Sequence, residues 1–154
     1  MRIHRHLAVW AVGVIALAAC GERQTVRGAD GETVQIASGS AAKAQNVDLP
    51  AFLPIYPGGR IESTVGGVSS GATGSQKGGM VVFHVGEAPD KVADFYRSRL
   101  DGSGLGERSD ANLNGVLMLT AASAEDADRG VQVSVAPADE GGSRVTLVYS
   151  QGGA

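Results

Sequence analysis

Cysteine is nearly absent from these 154 residues: Cys20 is the only one. An internal disulfide is therefore impossible, and no covalent staple holds the fold. Aromatic residues are few, with three Phe, three Tyr and one Trp, so a core must rest mainly on Val, Leu and Ala. Positive charge is also short. Lys and Arg number 13 against 16 Asp and Glu, for a net charge of −3. Without a basic cluster the chain lacks the attraction to phosphate that nucleic-acid binding requires, and it lacks a basic patch for anionic lipid headgroups. No apolar run reaches the roughly 20 residues of a membrane-spanning helix. Histidine is represented by His4, His6 and His84.

What the chain does have begins at its amino terminus. Arg2, His4, Arg5 and His6 precede an uncharged apolar run, Leu7 to Ala19. That length and those flanks describe a secretory signal rather than a spanning helix. Ordinary signal peptides place small residues at −3 and −1 from the cut. Here Leu17-Ala18-Ala19-Cys20 puts leucine at −3 and the lone cysteine directly after the cut. The stretch resembles the signal peptide and lipobox of bacterial lipoproteins. The resemblance implies that residues 1–19 are removed and that the Cys20 thiol becomes a thioether to diacylglycerol. Gly21 follows the cysteine where lipoproteins retained in the inner membrane carry Asp, so the implied address is the outer membrane, facing the periplasm. Two or three acyl chains hold a soluble domain firmly where a single one holds only marginally. Removal of the leader takes away two arginines and no acid, which makes the mature chain more acidic still.

Residues 20–48 read as a lipid-anchored tether. Thr25–Arg27 and Thr33–Ile36 flank Asp30-Gly31, a hairpin signal. An isolated hairpin is marginal in water, so weak packing is expected. Ser38 to Asn46 has linker composition. Residues 49–151 read as the folded domain. Leu49–Gly59 holds three prolines, Pro50, Pro54 and Pro57, which forbid a helix and favour an extended segment against the core. Arg60–Val65 and Met80–Val85 read as strands. The glycine-rich stretch between them, Gly66–Gly79, reads as a flexible loop. A helix opens at Glu87-Ala88-Pro89-Asp90, where proline fits the first turn. Val92, Phe95, Tyr96 and Leu100 repeat at the spacing of a buried helical face. Gly102 and Gly104 end it. Val116–Thr120, Val131–Val135 and Val145–Tyr149 follow as strands, and Leu105–Ser109 is a candidate edge strand. The expectation is an α+β domain: an antiparallel sheet of about five strands with one amphipathic helix on one face.

Catalytic chemistry is poorly supplied. After processing, His84 is the only histidine, and it alternates with Phe83 and Val85, which directs it to the opposite, polar face. Gly71–Lys77 lacks the spacing of a phosphate loop, and Gly102-x-Gly104-x-Gly106 follows a helix where a dinucleotide fingerprint follows a strand. Asp110-Ala111-Asn112-Leu113-Asn114-Gly115 resembles the first half of an EF-hand calcium loop. Position 12, however, is Ala121 where a bidentate Glu belongs, and Asn114-Gly115 is a good tight-turn pair. Glu125, Asp126 and Asp128 form a second acidic loop. No catalytic, metal or cofactor site is assigned, and lipidation at Cys20 is the one modification site expected.

Tyr56-Pro57-Gly58-Gly59, the helix positions Val92, Phe95, Tyr96 and Leu100, and the strand meander together resemble a loose group of small bacterial envelope lipoproteins of unknown function. The tryptophan usual after the helix in that group is missing here. The resemblance implies no active site. Three functions follow, in order: a lipid-anchored, non-catalytic interaction or structural module with an envelope protein as partner; a periplasmic small-ligand binder with the proline-rich segment and the glycine-rich stretch as lids; and a hydrolase built around His84.

Overall fold

A computed structural model describes residues 22–28, 32–39, 42, 48–71, 74–126 and 128–152. The stretch read as a signal peptide, Cys20, the turn expected at Asp30-Gly31 and nearly all of the linker read at Ser38–Asn46 lie outside the described residues.

Eight strands form one sheet: β1 (Arg23–Arg27), β2 (Thr33–Ser38), β3 (Arg60–Gly71), β4 (Gly74–Val85), β5 (Glu107–Leu113), β6 (Val116–Ala122), β7 (Gly130–Pro137) and β8 (Ser143–Gln151). The spatial order is β1-β2-β3-β4-β8-β7-β6-β5, and every pair is antiparallel. Strands β1 to β4 run outward-in as consecutive hairpins. Helix α1 (Pro89–Asp101) then carries the chain from the middle of the sheet to its far edge, and β5 to β8 return as a meander that closes against β4.

The α+β class holds, with one helix among the described residues on one face of an antiparallel sheet, but the strand number is corrected from about five to eight. Five strands coincide with those read from alternation. The candidate edge strand exists and is β5. The other two come from the segment read as tether, so the sheet begins at Arg23 and not at Leu49. The hairpin docks because β3 and β4 are much longer than expected. Gly66–Gly79 is not a loop: its glycines continue the ladder, with Gly66 opposite Gly79 and Gly67 opposite Gly78. That extension gives β2 a neighbour over its whole length, from Thr33 opposite Val68 to Ser38 opposite Ser63.

The core lies between the helix and the sheet. Val81, Phe83, Val133, Val135, Val145 and Leu147 point up from the sheet, and Val92, Ala93, Tyr96 and Leu100 point down from α1, all buried. Each such side chain contributes about 1.5–3 kcal/mol when removed from water. Phe95, read as part of the buried face, is only half-buried. It sits at the helix margin, edge-on to Tyr56 at 4.9 Å, with the Arg99 guanidinium 5.1 Å from its ring centre.

The helix ends are set locally. Pro89 stands in the first turn, where its missing N–H has no partner to lose. Asp90 lies at the positive end and Arg99 in the last turn. At the other end Ser103 closes the chain: its hydroxyl donates to the Leu100 carbonyl at 2.7 Å and accepts from the Leu105 N–H at 3.1 Å. The β7–β8 turn depends on Gly142, which has a φ of +77° and whose absent Cβ would stand 2.2 Å from the Val85 carbonyl oxygen.

Candidate functional site

The helix face of the sheet is not wholly covered by α1. The helix lies over β6 and β7. Beside it the proline-rich segment supplies the rest of the layer. Leu53 is fully buried, its N–H donates to the Pro50 carbonyl at 2.8 Å, and the Tyr96 hydroxyl donates to the Pro54 carbonyl at 2.9 Å. That last bond ties the segment to the helix. Burial raises the Tyr96 phenol well above its ordinary range.

Past this layer the face is open. The register places Gln35, Gly66, Gly79, Tyr149, Val131 and Ala121 in one row across β2, β3, β4, β8, β7 and β6. Two glycines in this row leave the sheet bare. A Cβ on Gly66 would meet only the Gly78 carbonyl oxygen at 3.9 Å, so the space above it is empty. Over Gly79 the space is filled by a neighbour: a Cβ there would stand 2.9 Å from the Tyr149 hydroxyl and 3.1 Å from its ring. The Tyr149 ring therefore leans across Gly79 and forms one wall of the vacancy over Gly66.

Two concavities lie end to end along this row. The first, ≈ 210 Å³, is lined by Thr33, Gln35, Thr64, Gly66, Val68 and Tyr149, and an ion pair between Asp48 and Lys77 crosses its mouth. The second, ≈ 400 Å³, lies between Pro50 and Phe52 on one side and Leu105, Val131 and Ser150 on the other, with Asp126 and Arg129 at its edge. The larger falls in the range of small-molecule sites, about 300–1,000 Å³. Residues 48–52 contribute to both. Burial raises the Tyr149 phenol above its ordinary range. The arrangement offers a mixed lining: Val68, Phe52, Leu105 and Val131 beside hydroxyl and amide groups and the charged Asp48, Lys77, Asp126 and Arg129.

The residues singled out from sequence lie elsewhere. His84 is on the opposite face of the sheet, as its alternation with Phe83 and Val85 predicts. Its Nε2 is 2.8 Å from the Gly141 carbonyl oxygen, an atom that can only accept, so that nitrogen carries a proton and donates. Arg60, Glu62, Asp139, Glu140 and Arg144 surround it in an exposed hollow. Asp110 is part of β5 and pairs with Arg97 of the helix at 2.7 Å. Asn114 and Gly115 form the expected tight turn, with φ of 53° and 85°. The turn is closed by a bond from the Gly115 N–H to the Asn112 side-chain oxygen at 3.1 Å. Asp126 accepts from the Asp128 N–H at 3.0 Å and packs against Gly152. Among the described residues no three metal-ligating side chains converge. Lys77, the last residue of the Gly71–Lys77 stretch, is held by Asp48. Gly102 caps the C-terminus of the helix, and the chain turns through Gly104 and Gly106 into β5. Cys20 lies outside the described residues.

The two segments that border the trough, the proline-rich segment and the glycine-rich stretch, are those expected from the sequence as lids of a small-ligand site. The glycines are not the flexible loop expected: they are strand residues forming a floor without side chains.

Residues 64–142, more than half of the chain, match the family model described as START domain-like. This span contains α1 and the trough residues Gly66, Gly79 and Val131, while Tyr149 lies beyond it. No curated protein matches the chain, and no solved structure does.

Proposed function

The chain belongs to the START domain-like family, and from that premise we propose that it is a lipid-anchored envelope protein whose domain holds a small amphipathic ligand in the trough on the helix face. The observation that carries this reading is the empty space over Gly66, walled by Tyr149 and continued by the larger concavity under Pro50 and Phe52. START-like domains generally bind ligands, which supports the reading. The occupant suited to these walls is amphipathic, with an apolar part against Val68, Phe52 and Val131 and several polar groups to pair with the hydroxyl, amide and charged side chains of the lining. Holding such a molecule requires no nucleophile or proton-transfer group, and the role is non-catalytic. The anchor at Cys20 is part of the same proposal and rests on Leu17-Ala18-Ala19-Cys20.

The test is native mass spectrometry of the protein purified from envelopes in mild detergent, beside a Gly66→Phe variant. The expected result is a small-molecule adduct on the unaltered protein that is lost in the variant. An adduct retained by a folded Gly66→Phe protein, or no adduct after incubation with an envelope lipid extract, would refute the reading.

A further inference from the structure

The face of the sheet turned away from the helix changes character along its length. Ile36, Val65, Met80 and Val148 are cross-strand neighbours on β2, β3, β4 and β8. Val34 and Val26 stand beside them on β2 and β1. Val26 is 53 % exposed, and Ile36 and Val148 are each 39 % exposed. Continued across the sheet, the same row becomes Gln132, Thr120 and Ser109 on β7, β6 and β5. Within this row the side chains are apolar from β2 to β8 and polar from β7 to β5, whereas the rest of the face is mixed: Leu113, Val116 and Met118 lie at the β5 end, and Arg60, Glu62, His84 and Arg144 lie on β3, β4 and β8. The apolar patch is therefore bounded by β1 on one side and β8 on the other.

Position along the chain decides what covers it. Cys20 precedes Arg23, the first residue of β1, by three residues. A chain spans at most about 3.6 Å per residue, so the edge strand starts within about 11 Å of the acylated position. The anchor therefore does not swing the domain on a long tether. It holds the β1 edge at the bilayer surface. The far edge, β5, is seven strand spacings away, about 30 Å. In the row of Ile36 and Val148 the apolar side chains stand nearer the anchored edge than the polar ones do.

We propose that the patch of Val26, Val34, Ile36, Val65, Met80 and Val148 docks on the bilayer surface, its side chains seated among the lipid headgroups and upper acyl chains. The docking is hydrophobic: the chain has no basic cluster, and Glu32 lies beside the patch. It rests on the reading of Cys20 as an acylated residue. The opposite, helix-bearing face then stays open to solvent.

Cys20 is the sole cysteine, so a second one can be placed and labelled specifically once the first is acylated. Val26→Cys, Ile36→Cys and, as a control on the polar end of the same row, Ser109→Cys are each spin-labelled. The acylated protein is then reconstituted into vesicles of phosphatidylethanolamine with a minority of phosphatidylglycerol. Docking predicts a several-fold higher ratio of oxygen to nickel-chelate collisions at positions 26 and 36 than at 109. Equal, water-like ratios at all three would overturn the proposal. So would shielding from both reagents, as a second copy of this chain would produce. Mass spectrometry of the same sample separates the two levels of the argument. An unmodified Cys20 removes the anchor and the docking with it, whereas acylated protein with water-exposed labels leaves the anchor standing and removes the docking alone.

Discussion

Gly66 and Gly79 face each other across β3 and β4, yet the same substitution at each should act in opposite directions. At Gly66 an added methyl enters open space, its nearest neighbour being the Gly78 carbonyl oxygen at 3.9 Å. Gly66→Ala then mainly restricts the unfolded chain and should stabilise by about 0.4–1 kcal/mol. At Gly79 the methyl would stand 2.7 Å from the Val65 carbonyl oxygen and 2.9 Å from the Tyr149 hydroxyl. The tyrosine can swing aside, but the carbonyl belongs to the neighbouring strand and can yield only if the ladder opens. Overpacking of this kind costs about 1–3 kcal/mol, which exceeds the same entropic gain. The two variants should therefore differ by about 1–3 kcal/mol. Urea unfolding of the mature protein followed by circular dichroism measures this difference directly, and the shift must appear in the midpoint with the slope unchanged. Two midpoints displaced in the same direction by similar amounts would refute the geometry, and with it the claim that the space over Gly66 is empty while that over Gly79 is occupied.

Two further outcomes follow from the packing around α1. Tyr96→Phe removes the bond to the Pro54 carbonyl and should cost about 1–2 kcal/mol, measured by the same unfolding assay. Because burial raises this phenol, the unfolded chain loses the proton first as pH climbs past about 10, while the folded protein keeps it. Stability is complete below that pH and declines above it, and the decline should be shallower in Tyr96→Phe. An identical slope in both proteins would contradict the assigned burial. Arg97 reaches Asp94 at 2.6 Å and Asp110 at 2.7 Å, and these two carboxylates raise its already high pKa. The groups are exposed, so Arg97→Ala should cost less than about 1 kcal/mol, and less again in high salt. A larger loss that persists in salt would mean that the helix depends on this pair to hold the β5 edge.

The helix could be read from spacing alone, because Val92, Tyr96 and Leu100 have no other way to share a face and Pro89 fixes where the run begins. The alternating valines of β7 and β8 were equally plain. The length of β3 and β4 was not. Glycine weakens a strand and signals a turn, and nothing local in Gly66–Gly79 reveals that two strands pair glycine against glycine there. Missing that extension also hid the place of β1 and β2, since a hairpin can dock only on a strand long enough to receive it. The outward side of His84 followed from alternation, and the Asn114-Gly115 turn from its residue pair. The trough followed only in part: the proline-rich and glycine-rich segments were legible as its borders, but its floor consists of what the glycines lack, and Tyr149, its wall, comes from the far end of the chain. A site made of missing side chains leaves no motif.

The protein has three tyrosines, Tyr56, Tyr96 and Tyr149, and only the last lines the trough. Fluorine NMR of 3-fluorotyrosine-labelled protein, titrated with an envelope lipid extract, therefore reads the site against two internal controls. A ligand held over Gly66 must shift or broaden the Tyr149 resonance while Tyr96, bonded to Pro54 beneath the helix, stays in place. An unmoved Tyr149 signal, or equal movement of all three, would contradict it.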